Sequence, residues 1–373
     1  MCCSKILTAV FFMNIVFVST ELCGGGAARV MTSMANYWAE IGHSIAIVSF
    51  ESASAVSYYP LSSKVRVVFA TRILDSINSD TLNNVSHFWR LRKTIKSLTP
   101  DVVVSFIDTT NVRVLLALAG SGIPVIVSER IDPARHELGW AARRLRDISY
   151  RLADAVVVQS CRAAKYFPQT IQARISIIEN PVEPQRGSPS KHATRILAAG
   201  RLCHQKGFDL LLKAFALIAN RFPDWSVRIC GEGPERNKLE QQVKALQLED
   251  RVELPGTTTD MQAAYAAAGL FVLSSRYEGF PNVLCEAMAS GLPTISFDCP
   301  SGPAEIVRHG HDGLLVPPQD VEALAAAIAR YIEAPEERKA HGLAARAVSD
   351  RYSFSSIMFK WQDVIGRILT AKG

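Results

Sequence analysis

The sequence predicts an α/β protein of two domains, each a parallel sheet covered by helices. Short apolar runs rich in Val and Ile alternate with longer amphipathic stretches, which is the pattern of repeated β-α-β units. At 373 residues, the chain is longer than the roughly 250–300 residues that one hydrophobic core usually serves. Residues 181–192, rich in Pro and Ser, interrupt the alternation. We therefore expect two Rossmann-like domains that face each other across a cleft.

The domain boundaries follow from these signals. We expect an extension at 1–12, a first domain at 13–180, a linker at 181–192, a second domain at 193–352, and a last helix at 353–373 that packs back on the first domain. Lys5 and the apolar residues after it also resemble a signal peptide. No small-x-small cleavage site follows them, whereas a Gly-rich stretch and a helical pattern do. We therefore interpret residues 13–18 as the first strand.

The elements are predicted from apolar runs, glycines and prolines taken in chain order. Gly42 ends the first helix, because glycine readily takes the left-handed C-cap conformation, and Pro100 precedes a strand. Strands are predicted at 15–19, 44–50, 65–70, 102–106, 124–128, 155–159, 175–178, 195–199, 226–230, 252–254, 270–275, 293–297 and 313–316. Helices are predicted at 29–41, 82–98, 140–152, 208–221, 236–246, 260–267, 281–290, 321–333, 335–348 and 354–369.

Composition excludes several classes of protein. An apolar content of 48% with 20% charged residues is typical of globular proteins, and a net charge of +6 is too small to indicate nucleic-acid binding. The eight cysteines show neither a C-x-x-C pair nor zinc-ligand spacing, which favours a reducing, cytoplasmic environment. No D-x-D motif occurs, so we expect no carboxylate-held metal ion and no cofactor.

The stretch at 270–297 carries the clearest site signal. It divides into strand, loop, helix, turn and strand; Pro281 can open the helix, where its missing N–H matters least, and Gly291 ends it. Such units bind ligands beyond the carboxyl ends of their strands. Two acids belong to that region, Glu278 on the loop and Glu286 on the helix. Apolar neighbours surround Glu286 in sequence, so we disfavour a purely solvated role for it.

Three Gly-rich loops follow predicted strands. Residues 24–26 are either a phosphate-binding turn or a simple tight turn, and as a dinucleotide fingerprint they are incomplete, because Arg29 stands where a small residue is required. The loop at 200–207 supplies Arg201 and Lys206, two cations suited to a diphosphate. Gly231 begins the third loop, which either admits a ligand close to the backbone or simply turns.

Two predicted helices carry basic residues beside aromatic ones. Such helices bind anionic lipid, although most of them are ordinary solvated faces, and the sequence leaves both interpretations open. The first cluster is Phe88, Trp89, Arg90, Arg92, Lys93 and Lys96, and the second is Trp140, Arg143, Arg144, Arg146, Tyr150 and Arg151.

Together these motifs resemble glycosyltransferase family 4, retaining nucleotide-sugar transferases with the two-domain GT-B architecture. The resemblance covers the chain from Met13 to its end, and it is most similar to enzymes that build bacterial exopolysaccharide or lipid-linked oligosaccharide. The matching stretches are GGAARV at 25–30, SER at 128–130, NP at 180–181, GRLCHQKGFD at 200–209, GEGP at 231–234, EGFPNVLCE at 278–286 and FDCPSGP at 297–303.

The resemblance implies a role for each matching residue. Arg201 and Lys206 would hold the donor diphosphate, Glu278 the hydroxyls of the transferred sugar, and Glu286 those of the ribose; Arg201, Lys206 and Glu278 would be catalytic. The remaining donor-binding residues would be Gly25, Gly26, Gly231, Phe280, Pro281, Asn282 and Val283.

The implied reaction is metal-independent, same-face transfer of a hexose or N-acetylhexosamine. The donor would be a nucleotide-diphosphate sugar, with a UDP-sugar favoured, and the acceptor a lipid-linked saccharide. The enzyme would then be cytoplasmic, with peripheral attachment to the inner face of the plasma membrane. The nucleotide, sugar and linkage stay open.

Two departures from the family pattern concern the acceptor. Members often carry Glu where Ala28 stands, and a His is common near Arg130. Glu129 and Arg130 are expected to shape the acceptor side, but the sequence identifies no base there.

Two alternatives come from other classes of protein. An NAD-dependent oxidoreductase is disfavoured by the missing third glycine, while Glu51, just after the second strand, keeps it open. A non-catalytic GT-B scaffold is disfavoured by the complete set of two cations and two acids.

Overall fold

The computed structural model describes residues 12–20, 22, 25–51, 57–70, 81–134, 139–185, 190, 193–258 and 260–372, with the backbone alone for 81–86. Nearly all of the predicted extension at 1–12 lies outside these residues, as do Gly24 and half of the predicted linker.

The first domain is a seven-stranded sheet in the order β3-β2-β1-β4-β5-β6-β7, and every neighbouring pair of strands is parallel. Its central strands are buried along their whole length, because helices cover both faces of the sheet. The elements are β1 (Asn14–Ser19), α1 (Gly25–Glu40), β2 (Ser44–Ser49), β3 (Val65–Phe69), α2 (Thr81–Ser97), β4 (Val102–Phe106), α3 (Asp108–Leu118), β5 (Val125–Ser128), α4 (Trp140–Ser149), β6 (Ala155–Val158), α5 (Cys161–Tyr166), α6 (Gln169–Gln172) and β7 (Ile175–Ile177).

The second domain is a six-stranded parallel sheet in the order β10-β9-β8-β11-β12-β13. Its elements are β8 (Arg195–Ala199), α7 (Phe208–Ile218), β9 (Ser226–Cys230), α8 (Arg236–Ala245), β10 (Val252–Gly256), α9 (Met261–Ala266), β11 (Leu270–Leu273), α10 (Asn282–Ala289), β12 (Thr294–Phe297), α11 (Pro303–Ile306), β13 (Leu314–Val316), α12 (Val321–Glu333), α13 (Pro335–Ala345), α14 (Val348–Arg351) and α15 (Phe354–Lys372). The prediction of an α/β protein with two Rossmann-like domains is therefore confirmed.

Several helix boundaries differ from those predicted. The first helix begins at Gly25 rather than at residue 29, so the glycines form its first turn. The helices predicted at 140–152 and 208–221 end earlier, because their last turns tighten to i→i−3 hydrogen bonds, from Ala153 N–H to Tyr150 O (3.2 Å) and from Arg221 N–H to Ile218 O (3.0 Å). The helix predicted at 335–348 ends at residue 345, and a separate short helix follows.

Among the described residues, five helices were not predicted: α3, α5, α6, α11 and α14. Helix α3 begins with the sequence DTTN, whose residue types favour caps and turns, and continues with VLLAL near its end, which reads equally well as a buried strand. These two features explain why the sequence pattern did not predict the helix.

The last helix, α15, follows the second domain in sequence but packs against the first. Its Phe354 ring lies 5.3 Å from the ring of Tyr37 on α1. The ammonium group of Lys360 is 2.6 Å from the carboxylate of Glu179, which follows β7. Trp361 is fully buried in a hydrophobic cluster that includes β1, β4 and α10, so one continuous core joins both domains.

We predict that Trp361→Ala lowers the midpoint of thermal unfolding by several degrees. Removing a fully buried Trp side chain costs about 3–5 kcal/mol, since it leaves a cavity in the core. Phe359 on the same helix is 71% exposed and serves as the control, because Phe359→Ala removes an aromatic ring without opening a cavity. Equal effects of the two substitutions, followed by circular dichroism on heating, would contradict the packing described for α15.

Candidate active site between the two domains

The candidate site lies where the carboxyl edges of the two sheets meet. Strand order reverses between β1 and β4 in the first sheet and between β8 and β11 in the second, and such switch points are where open α/β sheets bind ligands. Helix α1 follows β1, and α10 follows β11. Their first turns touch: a Cβ atom on Gly26 would lie 2.9 Å from the side-chain nitrogen of Asn282. Two helix N-termini, each with the positive end of its dipole, thus face one small region.

Glycine at 231 lets two loops of the second domain pack together. Gly231 has a φ of +149°, and a Cβ atom there would lie 1.9 Å from the carbonyl oxygen of Gly200, a distance that no side chain tolerates. The loop after β9 therefore lies directly on the loop that carries Arg201. The Arg201 side chain is exposed and has no hydrogen-bond or ion-pair partner among the described residues.

Glu278 is held at the base of the cleft by two neighbours. Its carboxylate lies 2.7 Å from the ammonium group of Lys206 and accepts a hydrogen bond of 2.6 Å from the hydroxyl of Ser275. Glu278 is only 4% exposed, so the charge is stabilised by these partners rather than by water. The structure therefore brings together Lys206 and Glu278, which were predicted from loops about 70 residues apart.

The loop that carries Glu278 is also joined to the start of α7 by an ion pair that sequence reasoning missed. Arg276 forms two hydrogen bonds to the carboxylate of Asp209, at 2.7 and 2.8 Å, and a third to the carbonyl oxygen of His204. Burial would raise the pKa of Asp209, but the Arg276 guanidinium lowers it below its ordinary value. The sequence did offer a signal for this pair, because Asp209 follows the loop of Arg201 and Lys206 almost directly.

Glu286, the second predicted acid, lies in the second turn of α10 and faces the first domain. One oxygen accepts a hydrogen bond of 3.0 Å from the hydroxyl of Tyr265, a buried residue that was not predicted. The other oxygen forms an ion pair with Arg29 of α1. Glu286 thus joins the two domains, although the sequence separates Arg29 from it by 257 positions.

The start of α10 is fixed from both domains. Phe280 packs edge-on against Tyr352 with ring centres 5.7 Å apart, so its backbone rather than its side chain faces the cleft. The amide of Asn180 donates a 2.8 Å hydrogen bond to the side-chain oxygen of Asn282. Pro281 precedes the helix instead of opening it, and Val283 is half-buried. These positions fit the predicted backbone-lined pocket, whose ligand stays a prediction.

Arg130 belongs to the domain interface. One nitrogen of its guanidinium donates to the side-chain oxygen of Asn180 at 2.6 Å, and the group lies between the rings of Phe106 and Trp361, 4.8 and 5.8 Å from their centres. Its Nε and Nη2 atoms are buried with no hydrogen-bond partner in the described part of the chain. Burial lowers the pKa of Arg130 to about 9. The carbonyl oxygen of Arg130 also closely approaches Gly279 of the second domain.

Glu129 points to the opposite face of the first sheet. It is 3% exposed and accepts a hydrogen bond from the hydroxyl of Tyr150, which in turn accepts one of 2.9 Å from Asn111. Burial raises the pKa of Glu129 to about 7, while the Tyr150 hydrogen bond and the Arg146 charge act the other way. Glu129 and Arg130 therefore do not form one cluster.

The two basic helices are only partly solvated. Arg146 and Tyr150 of the second cluster are buried, with Arg146 bonded to Asp147 and Tyr166, so these two residues were wrongly placed on an outer face. Trp89 and Trp140 remain 66% and 82% exposed, beside exposed Leu145 and Ile148, and a groove of about 370 Å³ runs between α2, α3 and α4. Among the described residues, no helix is both long and apolar enough to cross a membrane.

Within the described ranges, no group of three or more His, Cys, Asp or Glu side chains is placed to hold a metal ion. The positive charge at the cleft comes from Arg29, Arg201 and Lys206 and from the two helix N-termini.

Family comparisons agree with the motifs. The model described as Glycosyltransferase Family 4 matches residues 24–186, and the one described as Glycosyl transferases group 1 matches residues 181–348. The GalNAc-alpha-(1->4)-GalNAc-alpha-(1->3)-diNAcBac-PP-undecaprenol alpha-1,4-N-acetyl-D-galactosaminyltransferase of Campylobacter jejuni is 30% identical, spanning 96% of this chain and 100% of that protein. The amylovoran biosynthesis glycosyltransferase AmsD of Erwinia amylovora is 29% identical over 91% of this chain and 96% of that one.

Solved structures share the fold. Anabaena HepE in complex with UDP has a TM-score of 0.80 at 20% identity, covering 95% of this chain and 100% of that chain. The sucrose-phosphate synthase of Thermosynechococcus elongatus has a TM-score of 0.82 at 19% identity, covering 96% and 99%. The chain therefore belongs to the family 4 glycosyltransferases and has the GT-B fold, as the motifs predicted. This membership removes the support for the oxidoreductase alternative.

We predict that stability falls with rising pH because of Glu129. A carboxyl group with a pKa of about 4.3 in the unfolded chain and about 7 in the folded protein binds more protons when folded between those values. Within that window the free energy of unfolding therefore decreases as pH rises, and above about pH 7 this contribution is flat. Glu129→Gln, which stays neutral, is expected to remove this part of the decline.

The measurement is the thermal midpoint at intervals from pH 4.5 to 8. Glu322→Gln on the exposed face of α12 is the matched control and is expected to follow wild type. If Glu129→Gln showed the same pH dependence as wild type, the carboxyl group would not titrate as described.

Proposed function

We propose that this glycosyltransferase moves a hexose or N-acetylhexosamine from a nucleotide-diphosphate sugar to a saccharide acceptor, with retention of anomeric configuration. The observation that carries the proposal is that α1 and α10 meet at their first turns with Arg29 on Glu286 between the domains, while Lys206 pairs with Glu278 on the loop that leads into α10. Cations and N–H dipoles suit a diphosphate, and carboxylates suit sugar hydroxyls. No single domain supplies all of these groups.

Each group has a defined task in this proposal. Lys206, the N–H groups of α10 and the exposed Arg201 hold the diphosphate, while Glu286 accepts hydrogen bonds from the ribose hydroxyls. Glu278 accepts hydrogen bonds from the transferred sugar and keeps Lys206 close to the leaving oxygen. Gly25, Gly26 and Gly231 let the backbone approach the ligand. A UDP-sugar is favoured because the similarly folded HepE was solved in complex with UDP.

The proposed chemistry needs no metal ion. Negative charge develops on the leaving diphosphate, and preorganised positive groups in a water-poor cleft stabilise it most effectively. Glu129 is buried against Tyr150 on the far side of the sheet and is not placed to take a proton from the acceptor. The acceptor proton therefore passes to the departing phosphate oxygen on the same face of the sugar, which is consistent with retention.

The acceptor is proposed to be a lipid-linked saccharide of surface polysaccharide or oligosaccharide synthesis. The names of two relatives support this: one acts on an undecaprenol-linked saccharide, and the other serves amylovoran biosynthesis.

The exposed Trp140, Arg143 and Arg144 would rest on the anionic inner face of the plasma membrane. Sedimentation with anionic vesicles is expected to fail for an Arg143→Glu, Arg144→Glu variant and to persist for Arg367→Glu on α15; equal binding would refute this attachment.

We predict that one nucleoside diphosphate binds the purified protein in the presence of EDTA. Titration calorimetry with UDP, GDP, ADP and NAD is expected to show UDP binding, weakened by both Lys206→Ala and Glu286→Ala. Glu322→Ala is the control, since its carboxylate lies on an exposed helix face. Binding of NAD alone would overturn the proposal, and binding of no nucleotide would favour a non-catalytic scaffold.

We predict that Glu278→Gln lowers sugar transfer about a hundredfold or more, with the fold intact. The substitution keeps the shape but removes the negative charge that holds Lys206, so positive charge is misplaced at the leaving group. Transfer to a saccharide acceptor is measured with each donor sugar, alongside circular dichroism. Normal turnover in this variant would refute the assignment of Glu278.

A further inference from the structure

Helices α1 and α10 lie side by side across the cleft with matching positions. Gly26 faces Asn282 at the first turns, and one turn further along each helix Arg29 faces Glu286. Gly25 and Arg29 are four residues apart, so they share one face of α1. Arg29 therefore stands about one helical turn, roughly 5.4 Å along the axis, from the N-terminus of α1, where the diphosphate is proposed to bind.

The Arg29–Glu286 pair occupies the atoms that the ribose requires. Tyr265 already donates to one oxygen of Glu286, and Arg29 takes the other. A ribose that bonds Glu286 must therefore share or displace the guanidinium. The Arg29 side chain is 42% exposed, so water or a ligand can replace Glu286 as its partner, while Glu286, at 13% exposed, receives the ribose hydroxyls in return.

A displaced guanidinium finds a stronger partner in the diphosphate than in Glu183, the other carboxylate that acts on it. Its five N–H donors form a planar fork that matches phosphate oxygens, and a diphosphate carries more negative charge than a single carboxylate. We propose that Arg29 is a diphosphate ligand supplied by the first domain and held by Glu286 until the nucleotide binds. This inference rests on the proposed function, and it adds a specific donor contact from the first domain.

The arrangement couples the two halves of the nucleotide. The ribose releases Arg29 by taking Glu286, and the diphosphate then receives it. A nucleoside gains nothing from Arg29, since it competes with the guanidinium for the carboxylate. A nucleoside diphosphate gains a charge-assisted contact. The two ligands therefore respond oppositely to loss of the Arg29 charge.

The test compares UDP and uridine on wild type, Arg29→Gln and Arg29→Lys. Calorimetry measures UDP, and ligand-detected NMR measures the weaker uridine. Arg29→Gln is expected to weaken UDP binding about tenfold to a hundredfold, the loss of one contact to a charged group, without weakening uridine binding. Arg29→Lys keeps the charge but not the fork, so its UDP affinity should fall between the two. Arg367→Gln on the outer face of α15 is the matched control, and thermal midpoints verify folding.

Four results would overturn the inference. Equal losses of affinity for UDP and uridine would mean that Arg29 only holds the two domains together. Tighter binding of both ligands by Arg29→Gln would make it a plain competitor of the ribose. UDP binding by wild type that Arg29→Gln leaves unchanged would refute this inference alone, whereas the absence of any nucleotide binding by wild type would refute the proposed function together with it.

Discussion

The contact between the first turns of α1 and α10 is the constraint on which the site depends. A Cβ atom at Gly26 would lie 2.9 Å from the side-chain nitrogen of Asn282, so glycine leaves room for the Asn282 side chain in the position that Asn180 holds. Around the contact, Asn180 bonds Asn282 and Arg29 pairs with Glu286. The N-termini of two helices from different domains thereby point at one ligand-sized region, which neither domain forms alone.

The acids of the cleft are held by cations of the same chain. Lys206 pairs with Glu278 within the second domain, where burial makes the pair rigid, and Arg29 pairs with Glu286 between the domains, where exposure makes it exchangeable. The first pair keeps its geometry when a ligand enters. The Arg29–Glu286 pair can exchange its partners for ligand atoms. Donor binding and the contact between the two domains therefore affect each other.

Local patterns predicted much of the fold, and long-range contacts account for what they missed. Buried apolar runs identified the strands, since parallel strands covered on both faces read as continuous Val- and Ile-rich segments. Helix α3 was missed because its DTTN start favours turns. The motifs and their places after predicted strands indicated that Glu278 and Lys206 lie in one cleft. It gave no indication of Arg29 with Glu286, or of Arg130 beneath Trp361, because those pairs form only when the two domains and α15 pack together.

Hydrogen exchange at the first turns of α1 and α10, with and without UDP, tests most directly whether a donor binds between the two domains. The backbone amides of these two turns are the groups proposed to meet the diphosphate. The account predicts slower exchange in the first turns of both helices when UDP is present, and no change in the last turn of α12, at the opposite edge of the second sheet. Protection confined to one domain, or absent from both, would contradict a site that needs the two helices together.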